Sequence, residues 1–313
     1  MLESDTYCNI SVDNLKDLIT VAYVIIDDLY QEVTPKAISK RLHKENAILS
    51  DSEIITISIV GELMTIDSEK AWLSYVRKNL CDLFPRMCER SRFNRTRRNL
   101  VSVIDAIRFR LNLMMDEFAD ELRIIDSFPL PVCEFGRARF CKTFRGYGAN
   151  YGYCPSKKLT FFGYKVHVLC SQNGHITDFI VTPASTDDRD AVWELVEKYN
   201  CHLYLIGDKG YISYPLTLDL NHEKGIDLIY MKKENAKRQY PKAFRQFLFK
   251  IRRRIETSFS QMVEQLNVEA VKAKSFWGLV TRLQTKFLAF NICFFINRLL
   301  GLDDIAQVKG LVF

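Results

Sequence analysis

Asp126 closes the apolar run ELRIID, and Asp208 follows HLYLIG directly. Both runs read as short buried β-strands. In an open α/β sheet, sites form beyond the carboxyl ends of the strands. If these two strands are parallel neighbours, the two carboxylates converge there. Paired carboxylates repel each other strongly, and a divalent cation between them removes that cost. Hard oxygen ligands with little His or Cys nearby favour Mg²⁺, with Mn²⁺ as a substitute, over zinc. Either aspartate also suits a plain turn, since Asp126 precedes Ser-Phe-Pro and Asp208 precedes Lys-Gly-Tyr.

A third acid, Glu256, stands in RRRIETSF, within the most basic stretch of the chain. The segment 242–266 carries Phe244, Leu248, Ile251, Ile255, Phe259, Met262 and Leu266 at steps of three and four, a helical stripe. Glu256 lies one residue off that stripe, about 100° round the helix. Arg252 and Arg253 are its neighbours one turn back. A surface ion pair of about 0.3–0.5 kcal/mol explains the acid weakly. A third metal ligand beside phosphate-holding arginines explains it with more force.

The elements that must position these acids fall into two grammars. Residues 1–117 read as helical. LKDLITVAYVIIDDLY is amphipathic, Thr34-Pro35 signals a helix start, Ser50 or Asp51 caps the next helix, and the basic segment RSRFNRTRRNL leads into VSVIDAIRFRLNLMM. Short helices with a basic approach suit DNA-end binding. Residues 118–313 read as a mixed sheet covered by helices, an α/β layered domain. A strand comes first, then a hairpin turned at Asn173-Gly174, then the amphipathic helix STDDRDAVWELVEKY, whose acidic first turn suits the helix dipole. A strand, a short helix, a strand and the long helix complete it. The apolar run FLAFNICFFINRLL (287–300) is interrupted by Asn291 and Asn297 and is shorter than the ~20 residues of a membrane span. It reads as a buried terminal helix.

Composition agrees. The chain has 313 residues, 48% of them hydrophobic and 26% charged, which fits a globular protein and excludes a disordered one. The net charge is only +6 but is unevenly spread. Residues 1–35 hold seven acids and one lysine, whereas 232–286 hold fourteen Lys/Arg against four Asp/Glu. That asymmetry predicts a basic surface for an anion, nucleic acid above all. Nine cysteines form no C-x-x-C pair and no secretory signal is present, which points to a reducing compartment. Cys133, Cys141, Cys154 and His167 match no common zinc spacing. The segment 135–158 holds six basic residues, six aromatics and no acid. Its Arg145, Lys157 and Lys158 suit phosphate and its tyrosines suit stacking on unpaired bases. Lys209 and Tyr211 flank Asp208 and are expected to face the same cleft.

Asp126 in RIIDSFPL, Asp208 in LIGDKGY and Glu256 in RRRIETSF together resemble the Asp-Asp-Glu triad of bacterial insertion-sequence transposases. The resemblance covers roughly residues 118–300. Phe249-x-x-Arg252-x-x-x-Glu256 is similar to the Tyr-x-x-Arg-x-x-x-Glu-x-x-x-x-x-x-Lys signature of many members, with Phe249 for the tyrosine and Val263 for the lysine. The resemblance implies a ribonuclease H-like catalytic domain and two metal ions that clamp a scissile phosphate. It further implies cleavage at the ends of an insertion element, joining of the 3′-hydroxyls to target DNA, and Arg252 on DNA phosphate. Terminal inverted repeats and target DNA become the expected partners, a homodimer on paired ends the expected assembly, and the bacterial cytoplasm, at the nucleoid, the expected location. Two other readings of the same residues are a nuclease of this fold that does not join strands and a transposase-derived DNA-binding regulator.

Overall fold

The computed structural model describes residues 11–302 except His43 and Thr65. Cys8, the first two acids of the 1–35 stretch and residues 303–313 of the expected second domain lie outside these. The chain forms two compact units. The first comprises residues up to Asp116 with Gln261–Asn267 and the stretch from Trp277 onward; the second is Glu117–Ser260 with Val268–Phe276.

The first unit is helical: α1 (Leu15–Val33), α2 (Lys36–Ser39), α3 (Asp51–Leu63), α4 (Glu69–Asn79), α5 (Arg90–Asn99) and α6 (Val101–Met114). Asn14 caps α1 by accepting from the amides of Lys16 and Asp17. Ser50 caps α3 in a full capping box with Glu53. Thr34 does not begin a helix, however. It ends α1, and Pro35 holds the cap position of α2 without a side-chain bond. The basic segment 90–100 is itself mostly helix. Its Arg97 turns inward to Glu69 at 2.8 Å, so this arginine is spent on the fold and not on an outside anion.

The second unit carries the sheet: β1 (Leu122–Pro131), β2 (Asn150–Cys154), β3 (Leu159–Ser171), β4 (Ile176–Pro183), β5 (Leu203–Gly207) and β6 (Ile226–Tyr230). Its helices are α7 (Lys142–Arg145), α8 (Asp188–Val196), α9 (Tyr214–Lys224) and the first part of α10 (Lys242–Leu266). The strand order is β2-β3-β1-β5-β6, with β4 also on β3. β1, β3 and β4 form an antiparallel meander, while β5 and β6 run parallel to β1. This is the mixed, helix-flanked sheet that the resemblance implied. Gly174 takes φ 96° in the β3–β4 turn, where glycine bears no steric cost. The aliphatic faces of β5, β6, α8 and α9 close one side of the sheet in a core that includes Leu169, Val192, Leu205, Leu220 and Leu228.

Two elements differ from their expected form. β1 does not stop at Asp126 but runs on to Pro131 against β3. The segment 135–158 is no open loop: it contains a 3₁₀ turn at Phe135–Phe140, α7 and β2, and β2 pairs along β3. The terminal apolar run is the second half of α11 (Phe276–Leu299). That helix is long and apolar enough to cross a membrane, yet most of its apolar window is buried within the fold. It groups with the first unit and not with the 118–313 domain. Arg282 and Lys286 reach Glu62, and Asn291 donates to Asn112 at 2.9 Å.

Candidate active site

The parallel pairing of β1 with β5 joins Leu122 to Tyr204 and Ile124 to Ile206. The same sequence offset aligns Asp126 with Asp208, two residues beyond the last paired position. Neighbouring parallel strands lie about 4.8 Å apart and aligned residues share a face. Asp126 and Asp208 therefore stand side by side at the carboxyl end of that pairing. Both line one cleft of about 590 Å³, with Ser127, Tyr153, Lys165, Asp188, Lys209, Gly210 and Lys233.

Each aspartate has a local anchor. The Ser127 amide donates to Asp126 Oδ1 at 2.8 Å, and the Gly210 amide donates to Asp208 Oδ1 at 2.7 Å. Asp208 is thus also a turn former, as its sequence context allowed. Burial pushes the Asp126 carboxyl up to about 7; the Ser127 amide opposes this, the Asp208 charge adds to it, Arg252 opposes it and Asp188 adds further. In the metal-free chain Asp126 therefore holds its proton through a range where an unfolded aspartate, at about 3.9, has lost it. The folded state binds the extra proton, so stability falls as pH rises from about 4 towards 7. We expect Asp126→Asn, which mimics the protonated form, to melt like wild type near pH 4 in EDTA. Above pH 7 it should melt higher, by on the order of a few kcal/mol. Equal melting at both ends of the range would show that Asp126 is not desolvated in this way.

Glu256 stands apart from the two aspartates. α10 buries Leu248, Ile251 and Ile255 and leaves the Glu256 side chain 58% exposed, paired with Arg252 at 3.4 Å. The Arg252 charge also acts on Asp126, so one guanidinium links the two acids. Two contacts seat α10 on the sheet beside them: Phe128 meets Phe259 edge-on at 5.5 Å, and Ser258 Oγ donates to the Gly174 carbonyl at 2.9 Å. Among the described residues no three His, Cys, Asp or Glu side chains gather closely enough to hold a metal ion.

The expected DNA-contacting residues divide. Lys209 lines the cleft and Arg253 is exposed. Arg145 lies over the Phe162 ring and donates to the Ala138 carbonyl, and Lys157 pairs with Glu269. Lys158 is exposed, in a left-handed conformation at φ 50°. Tyr211 does not face the cleft as a surface residue. It is 1% exposed, its ring packed against the glycine backbone at 207 and within the core, so it has no face to offer DNA. His167 is buried with Nε2 on the Thr182 hydroxyl; burial lowers its pKa to about 4, which keeps it neutral and structural.

The cleft also holds residues that the sequence did not mark. Lys165 comes from β3 and Lys233 follows β6. Asp188, on the first turn of α8, accepts from Ser127 Oγ at 3.0 Å and from Lys165 Nζ at 3.1 Å. Lys165 had a detectable signal, a lysine alternating with apolar residues on a strand. Asp188 had none beyond an acidic helix start.

A mixed sheet with register-aligned acids at the ends of parallel strands, facing a cleft lined by three aspartates and three lysines, defines an α/β domain with one candidate active site. Residues 117–276 match the family model described as "Transposase DDE domain", and the chain belongs to that family. Among solved structures the chain is similar to a piggyBac transposase in a cryo-EM synaptic complex with hairpin DNA. That alignment has 12% identity and a TM-score of 0.47, and it covers 94% of this chain and 78% of the other. No curated protein matches the chain.

Proposed function

We propose that the chain is a DNA transposase that cuts the ends of its insertion element and joins the resulting 3′-hydroxyls to target DNA. One observation carries the reading: the alignment of Asp126 with Asp208 in a single cleft of a chain that matches the transposase DDE domain. The donor set fits a hard divalent cation, being all oxygen, with a neutral histidine and, among the described residues, no metal-holding thiol cluster. Asp126 and Asp208 would hold it, with Glu256 as third ligand from α10. When bound, such an ion supplies Lewis acidity at a phosphoryl oxygen and an activated hydroxyl nucleophile.

The remaining work falls to the chain's own side chains. Lys209 and Lys233 line the cleft and would neutralise the phosphates that flank the scissile bond, whereas Lys165 is held by Asp188 and the Thr186 carbonyl. Arg252 pairs with Glu256 and its charge also acts on Asp126, and an incoming phosphate would compete with Glu256 for its guanidinium. Freed from Arg252, the exposed Glu256 side chain can turn towards the aspartates. Tyr153, exposed at the cleft wall, offers a ring to an unpaired base. Pairing two element ends calls for two copies of the chain.

The test uses the full chain, a duplex carrying the element's own terminal repeats, and a supercoiled plasmid in Mg²⁺. The expected products are free 3′-hydroxyl ends and their covalent joints to plasmid, both lost in EDTA. Cleavage without joints would reduce the protein to a nuclease. No cleavage in either Mg²⁺ or Mn²⁺ would overturn the proposal.

A further inference from the structure

We propose that the face of α10 that carries Glu256 is a track for the backbone of the target duplex, held chiefly by Lys242 and Arg245; the inference rests on the strand-joining reading above. Three observations carry it.

The cations here are unspent. Residues 232–254 hold ten Lys/Arg against one acid, Glu234. Elsewhere the fold uses its basic residues: Arg97 on Glu69, Arg145 on the Ala138 carbonyl and Lys157 on Glu269. Among the described residues, Arg252 alone in this stretch has an ion pair, and the exposed side chains of Lys242, Arg245 and Arg253 have no hydrogen bond.

The cations also form a row. At about 100° per residue, Lys242, Arg245, Phe249, Arg252 and Arg253 all lie within about 60° of Glu256 around the helix. The row is about 21 Å long, the length of about six base pairs. The loop before α10 adds to it. Lys232 Nζ donates to the Arg238 carbonyl at 3.0 Å and lies over the Tyr240 ring, which meets Phe244 of α10 edge-on at 5.2 Å. Lys237 and Arg238 are thereby held near the start of the row, both exposed, and Lys233 reaches the cleft.

The third observation is where the row begins. Lys242 and Arg245 stand in the first turn of α10, which has no acid. The amino end of a helix is its positive end, so cations there oppose the dipole. Three residues apart, these two also repel each other. Neither residue helps the helix, and an external polyanion offsets both effects. Nothing fixes the row's exposed cations in register with base edges, so they suit phosphates and carry no sequence readout. An element's end must be recognised by sequence, whereas a target is any duplex. The row therefore fits the target.

The experiment supplies the full chain with a labelled end duplex already cut to its 3′-hydroxyl. Supercoiled plasmid is titrated in Mg²⁺ at several salt concentrations and the joints are counted. Cleavage is measured in parallel on uncut end duplex without plasmid. Wild type is compared with two double variants, Lys242→Ala with Arg245→Ala and Lys250→Ala with Arg254→Ala. Each removes two exposed cations from α10, the second pair lying more than about 100° away from Glu256 around the helix. Loss of first-turn cations favours the helix, so both variants should melt like wild type or higher. The first is expected to need at least about tenfold more plasmid for half-maximal joining, with a salt slope lower by about two, and to cleave within about twofold of wild type. The second is expected to match wild type in both assays. Unchanged plasmid dependence in the first variant, where wild type joins, overturns the inference and leaves the proposed function standing. Equal loss of cleavage and joining would place the element's end on the row, and equal loss in both variants would reduce the row to general helix charge; either result overturns the inference. A wild type that makes no joints overturns it together with the joining reading.

Discussion

Asp126→Asn will abolish strand cleavage, by about a thousandfold or more, while making the metal-free chain more stable at neutral pH. The two effects have one cause. Asp126 is held in a desolvated position beside Asp208 and Asp188, where its ionised form is unfavourable without a cation. Asparagine removes that unfavourable charge and with it the ligand. A loss of several kcal/mol of transition-state stabilisation corresponds to at least a thousandfold in rate. Asp208→Asn should match it in cleavage. Binding of the terminal repeats, carried by lysines and arginines outside the acid pair, should survive in both variants. Cleavage of labelled end duplex and a filter-binding assay on the same preparations separate the two. A variant that has lost end binding along with cleavage would point to a folding defect. Glu256→Gln gives the sharpest contrast, because Glu256 is exposed and one guanidinium removed from Asp126. It should lose cleavage with no gain in metal-free stability. Full cleavage by Glu256→Gln in Mg²⁺ would falsify its place as third ligand.

The aspartate pair was legible because two local patterns coincided: an apolar strand of five or six residues, then an acid, twice. What the pattern hid was the true length of β1. Pro129 and Pro131 read as the end of a strand, since proline removes a ladder donor. Here β5 stops pairing at Ile124, so one edge of β1 is open from Asp126 onward, and proline is tolerated on an open edge. Asp126 therefore lies inside a strand and at the end of a pairing, a distinction that only the partner strand defines. Asp188 was hidden for the opposite reason. An acid in a first helical turn has a ready local explanation, and the direction of its carboxylate is set by Ser127 and Lys165, far away in sequence. Tyr211 misled through adjacency: next to Gly210 at the cleft, it still points into the core because the glycine at 207 leaves room for its ring.

The second large effect concerns stability and lies far from the acids. Glu62 of α3 is buried, and it accepts from Arg282 Nε at 3.0 Å and from Lys286 Nζ at 2.5 Å, both on α11 one turn apart. Lys286 also donates to the Leu266 carbonyl. Burial raises the Glu62 pKa, but Lys286 and Arg282 outweigh it and hold the carboxyl below its usual range. Glu62→Leu leaves two cations facing an apolar side chain. Removal of one member of a buried ion pair costs about 3–5 kcal/mol, because the uncompensated charge stays behind. That is a large part of the 5–15 kcal/mol that holds a typical domain together. The double variant Glu62→Leu with Lys286→Met removes the most buried cation too. Apolar replacement of a whole buried pair is often neutral, so the double variant should recover most of the loss. Arg282, less deeply buried, can then reach water. Urea midpoints for the single and double variants measure the difference. A double variant no more stable than Glu62→Leu would mean that the stabilisation resides in how Glu62 packs, and not in the charges it compensates. The sequence gives no local sign of this contact, since an acid in an apolar helix and two cations some 220 residues later are joined only by the fold. It is also the strongest reason for α11 to belong with the amino-terminal helices.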